Sequence, residues 1–164
     1  MSGIKLLLLS LILCTSCSKK QKNTVREPYR NWGTLEIKTR YQTLTISKFS
    51  DSAEYYYITD SKGEFKTFTE PKYQAENDKQ EKKKIFFTKA EKDSLSKYIY
   101  ESVTQPKFTN VLATDYVGNV VLKLDTGNMN LVCEYYSVGD WTTVSENTKK
   151  IYDLISKKIK ISKQ

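Results

Sequence analysis

Apolar residues at every second position constrain this chain more than any other feature. Leu35 and Ile37 alternate with polar neighbours, as do Leu44 and Ile46. Val120, Leu122 and Leu124 repeat the pattern, and Leu131, Cys133 and Tyr135 repeat it again. A period of two puts each set on one face of a strand and its polar neighbours on the other. Strands buried on one face belong to antiparallel sheets. Two segments break this rule with helical spacing instead. Thr88-Lys89-Ala90-Glu91 reads as a capping box, followed by Leu95, Tyr98, Ile99 and Val103. Gln105-Pro106 stops that helix. Ser145 caps a second helix, with Glu146 in its first turn and Ile151, Leu154, Ile155 and Ile159 on one side.

The order is strands, helix, strands, helix. It predicts an α+β fold: an antiparallel sheet of about five to seven strands with two helices, one after each strand set. Gly63 predicts a hairpin turn pairing residues 54–58 with 65–68. The charged stretch 70–84 reads as a loop, with a short strand at Ile85-Phe86-Phe87. Gly118-Asn119 reads as a turn after an additional strand within 111–116, and Asp125-Thr126-Gly127-Asn128 as another turn.

Reactive chemistry is scarce. The chain has no histidine, which removes the usual general base near neutral pH and the commonest metal ligand. Its six glycines form no phosphate-binding loop, and no carboxylates have calcium-loop spacing. Ser94-Leu95-Ser96-Lys97 fits S-x-x-K, but the companion S-D-N and K-T-G triplets are absent. Catalytic residues, metal and cofactor are therefore expected to be none, and the protein is expected not to be an enzyme. The net charge of +8 does not imply a nucleic-acid partner, because the lysines of 79–84 are interspersed with acids and no aromatic-basic RNA motif occurs.

The N-terminus reads as a targeting segment. Lys5 precedes the apolar run Leu6-Leu7-Leu8-Leu9-Ser10-Leu11-Ile12-Leu13. That run is too short for a transmembrane helix but suits a signal peptide. Small residues Thr15 and Ser16 then lead into Cys17. This stretch resembles the lipobox of bacterial lipoproteins, in which the cysteine is lipidated and becomes the new N-terminus. It departs from the family pattern in having Cys14, not Leu, three residues before the cysteine. The resemblance implies a signal peptide over 1–16 and a lipidated Cys17 with a tether over 17–30. A single domain over 31–164 follows. The 164-residue chain would lose 16 residues and keep 148. Cys14 would leave with the peptide, so the pair at CxxC spacing is an address and not a redox or metal site. Cys133, the remaining thiol, reads as a small buried hydrophobe. Ser18 after the cysteine implies the outer membrane rather than inner-membrane retention. The basic Ser18-Lys19-Lys20, unlike the acidic run of surface-exported members, implies the periplasmic face.

Tyrosine is abundant, at 12 residues. In Tyr55-Tyr56-Tyr57 the alternation sends Tyr55 and Tyr57 to one side and Tyr56 to the other. Surplus tyrosine on a half-wet sheet suits a protein interface. Tyr55, Tyr56, Tyr57 and Trp141, the last in the linker before the final helix, are the candidate partner-binding residues. Two functions fit. One is a lipid-anchored periplasmic binding or interaction protein, such as an immunity-type protein that captures a protein partner. The other is an envelope assembly or structural lipoprotein acting on lipid or cell wall.

Overall fold

The computed structural model describes residues 27–60, 62–66, 78–106 and 113–163, with the backbone alone at 113–118 and 137. Strands β1 (Thr34–Lys38), β2 (Gln42–Ser47), β3 (Ser52–Thr59), β4 (Lys79–Phe86), β5 (Ala113–Asp125) and β6 (Asn130–Val138) form one sheet. Every pairing is antiparallel, in the order β4-β3-β2-β1-β5-β6. The first four strands make a meander. Helix α1 (Lys89–Thr104) carries the chain from the β4 edge back past three strands to β5. Helix α2 (Glu146–Ile155) follows β6. This is the α+β arrangement that the alternation and the caps predict, with one helix after each strand set.

The alternation sets the core. Leu35, Ile37, Leu44, Ile46, Leu122 and Leu124 point to one face and are fully buried beneath Leu95 and Ile99 of α1 and Ile151 and Ile155 of α2. Burying a Leu or Ile side chain contributes about 1.5–3 kcal/mol, so this layer holds the domain together. Both helices begin as expected. The Thr88 hydroxyl accepts from the Glu91 amide (3.2 Å) while the Glu91 carboxylate accepts from the Thr88 amide (2.7 Å). Ser145 and Thr148 make the same reciprocal pair on α2. α1 stops at Thr104, before Pro106.

Three local expectations need correction. The charged stretch is not all loop, because Lys79–Phe86 forms β4 and pairs with β3 along its whole length. Only Ile85 of β4 is even half-buried, so this edge strand carries no alternating apolar pattern to read. Its lysines suit an edge, where charge discourages pairing with another chain. The turn at Gly63 does form, with φ of +79°, and Thr59 and Phe65 bridge across it beside a bond from the Lys66 amide to the Ile58 carbonyl (3.0 Å), but the strand partner of β3 on this side is β4; residues 67 and 68 lie outside the described residues. Gly118-Asn119 is not a turn. β5 runs through it, and a register shift on either side of Gly118 against β6 absorbs the irregularity.

The last residues return over the core. Ile159 and Ile161 are buried although α2 ends at Ile155. Gln42 fastens this segment, since its side-chain oxygen accepts from the Ser162 amide (3.0 Å) and the Thr39 hydroxyl (2.6 Å). Its amide nitrogen donates to the Lys66 carbonyl (3.2 Å). Lys66 is itself buried and pairs with Asp78 at 2.5 Å.

Candidate functional site

The two helices cover one face of the sheet. Among the described residues no helix or strand covers the other. Register places its side chains in rows that cross all six strands. One row reads Lys84, Glu54, Thr45, Glu36, Lys123, Val132. The next reads Lys82, Tyr56, Thr43, Lys38, Val121, Glu134. The middle of this face is hydroxyl-rich, and both signs of charge flank it.

Tyr56 stands on this open face. Its hydroxyl donates to the Glu54 carboxylate (3.0 Å), and Lys82 pairs with the other oxygen of Glu54 (2.7 Å). The Lys82 ammonium also lies 5.0 Å from the centre of the Tyr56 ring. The Lys82 ammonium, then the Tyr56 hydroxyl, hold the Glu54 carboxyl below its usual pKa. β6 repeats the motif at the far edge. Tyr136 is 64% exposed, and its hydrogen bond to Glu134 raises the phenol pKa. The open face thus carries a tyrosine–glutamate pair on β3 and another on β6.

The other candidates lie elsewhere. Tyr55 is buried on the helix side, where its hydroxyl donates to the Lys160 carbonyl. Burial pushes its phenol well above the ordinary value. Tyr57 is half-buried on that same side, stacked between Tyr55 (5.2 Å) and Phe65 (5.8 Å). Lys83 approaches the Tyr57 ring to 5.1 Å and Lys160 the Phe65 ring to 4.8 Å. Trp141 is a core residue in a short turn, Trp141–Thr143, and is fully buried. Its ring nitrogen donates to the Ser162 carbonyl (2.9 Å), and its ring packs nearly perpendicular to that of Tyr152, with centres 5.8 Å apart. Tyr55 and Trp141 therefore present nothing to a partner. Cys17 lies outside the described residues.

Tyr136 was not singled out from the sequence, although the signal existed. If Leu131, Cys133 and Tyr135 face inward, Tyr136 must face outward. Glu54 and Lys82 gave no such signal, because their meeting depends on the β3–β4 register.

The rest of the surface offers little for chemistry. Ser94 donates back to the Ala90 carbonyl of its own helix, and Lys97 lies 3.9 Å from Glu101. Burial raises the Cys133 thiol pKa, which opposes nucleophilic use. No group of three metal-ligating side chains occurs among the described residues. No described helix is long and apolar enough to cross a membrane. A cleft of about 290 Å³ opens between Trp32, Phe49 and Phe87, with Lys48 and Lys89 set against Asp51 and Asp93. Compared with protein-family models, curated proteins and solved structures, the chain matches none.

Proposed function

We propose that this is a lipid-anchored periplasmic protein that binds a protein partner through the open face of its sheet, as an immunity-type protein would. The observation that carries the reading is that face itself. Among the described residues no helix or strand covers it, it spans six strands, and it displays two tyrosines with glutamate partners among threonines and charges of both signs. Tyrosine gives contact area with few rotamers to freeze, and flanking charges select among partners more than they add affinity. Cys17, from the lipobox resemblance, supplies the anchor, and residues 17–30 supply the tether.

A pull-down from solubilised membranes tests the reading. The wild-type chain should recover one stoichiometric protein. The double variant Tyr56→Ala/Tyr136→Ala should weaken that capture by about tenfold or more, as loss of interface anchors does, with little change in thermal stability. Full retention of the partner would contradict the placement on this face. Co-sedimentation with peptidoglycan in place of a protein would support a structural envelope role instead.

A further inference from the structure

Five large apolar side chains are strongly exposed among the described residues: Phe49, Phe86, Met129, Val132 and Tyr136. Singly scattered exposure is ordinary, but the sheet register gathers three of these five at one end. Thr34 opens β1 opposite Ser47 at the end of β2 and opposite Asp125 at the end of β5. Ser52 opens β3 opposite Phe86 at the end of β4. The β2–β3 loop with Phe49, the β5–β6 turn with Met129, and Phe86 therefore form a single rim.

The rim is held, not loose. Lys92 is buried at the first turns of α1, and its ammonium donates to the Ser47 and Ser50 carbonyls on either side of Phe49. Lys48 donates to the Arg30 carbonyl and lies 6.0 Å from the Phe49 ring. With its flanks fastened, Phe49 still projects at 86% exposure. Gly127, with φ of +85°, shapes the turn that presents Met129.

β1 begins at this same end, and the chain before it lies along α1, with the Tyr29 ring 6.4 Å from that of Tyr100. The short turn Pro28–Arg30 leads to Gly33, whose amide donates to the Asp125 carbonyl (2.6 Å) and whose carbonyl accepts from the Lys48 amide (2.9 Å). Nine residues, 18 to 26, separate Cys17 from Glu27. They reach about 35 Å at full extension. A lipid on Cys17 would bring this end within reach of the membrane.

We infer that the rim of Phe49, Phe86 and Met129 docks onto the lipid surface, which rests on the proposed lipidation of Cys17. The three side chains seat at the boundary between headgroups and acyl chains. Lys48 and Lys89 lie at headgroup level, as amphipathic membrane contacts place them. Asp51, Asp93 and Asp125 also stand at this end, so apolar seating carries the contact more than net charge does. The β1–β2 turn then points away from the membrane, and the open sheet face stands clear of it.

The full-length lipoprotein, reconstituted in phosphatidylethanolamine–phosphatidylglycerol vesicles, tests this by depth-dependent quenching. Phe49→Trp places a reporter on the rim, and Lys62→Trp places one at the opposite end. Wild type supplies the background of Trp32 and Trp141. Brominated lipid should quench the reporter at 49 about twofold or more, as burial at the interface requires, and leave the reporter at 62 unchanged. Equal quenching at both positions, or none at 49 in floated and palmitate-labelled protein, would overturn the docking and leave the anchor intact. Flotation without palmitate label would overturn lipidation of Cys17, and quenching at 49 in that material would still support the docking. Failure to float would overturn both.

Discussion

Leu44 and Thr43 are neighbours in β2, and Tyr55 and Tyr56 are neighbours in β3, yet each pair divides between two unlike surfaces. Leu44 and Tyr55 lie beneath the helices. Thr43 and Tyr56 lie on the uncovered face, opposite each other in register. The covered face is where stability resides, through close-packed Leu and Ile and through a few buried polar bonds. The open face has the same backbone pairing but little left to bury. Among the described residues the helices cover only one side, which leaves the other for the contact proposed above, and residue type alone does not say which tyrosine lies on which face.

Substitution at neighbouring positions breaks this comparison most sharply. Leu44→Ala should cost about 2–5 kcal/mol of unfolding free energy, because a fully buried side chain leaves a cavity. Thr43→Ala should change it by less than about 0.5 kcal/mol. Urea denaturation of the two variants measures the difference. Equal costs would mean the open face is packed against something.

The buried Lys66–Asp78 pair comes next. One Asp78 oxygen bonds Lys66 and the other is buried with no hydrogen-bond partner among the described residues. Lys66→Met should cost about 3 kcal/mol, since a carboxylate would be left buried and unpaired. Restoring much of that loss with Lys66→Met/Asp78→Leu would identify the unpaired charge as the cause.

Tyrosine hydroxyls give a smaller contrast. Tyr55→Phe orphans the Lys160 carbonyl and should cost about 1 kcal/mol. Tyr56→Phe removes a part-buried bond to Glu54, whose carboxylate keeps Lys82, and should be near neutral for folding. A thermal unfolding midpoint lowered by Tyr55→Phe but not by Tyr56→Phe sharpens the division between faces.

The smallest effect is a pH dependence at the start of α1. Burial alone would raise the Glu91 carboxyl, but the Thr88 amide, the Lys158 ammonium and the Thr88 hydroxyl outweigh it and lower the pKa. A folded pKa below the unfolded one, about 4.3, gives stability that is present above the unfolded value. That stability is lost as pH falls through the folded value. Glu91→Gln should flatten part of the acid limb of a stability–pH curve. An unchanged limb would show that Glu91 has no such role.

Much of the fold was legible in sequence because both periodicities were clear. Leu35 and Ile37, or Val120 and Leu122, can be read as inward pairs since their neighbours are polar. Thr88 with Glu91 announces a helix start by chemistry alone. Only the end of β4, at Ile85-Phe86, was legible, because the rest of an edge strand with nothing packed on it has no reason to alternate. Gly118-Asn119 has hairpin composition, and only the pairing of β5 with β6 makes it a bulge. Trp141 could have faced either way, and its bond to Ser162 depends on a C-terminal segment brought back from 21 residues further along. The candidate surface was half legible. Alternation separated Tyr56 from Tyr55 and Tyr57, but not which side the helices would cover.

Photo-crosslinking in cells tests the central claim, that the uncovered face is the contact surface. A benzophenone amino acid replaces Thr43 at the centre of the open face in one variant and exposed Lys97 on α1 in another. The account predicts one discrete protein adduct from position 43 and none from position 97. An adduct from 97 with none from 43 would contradict it.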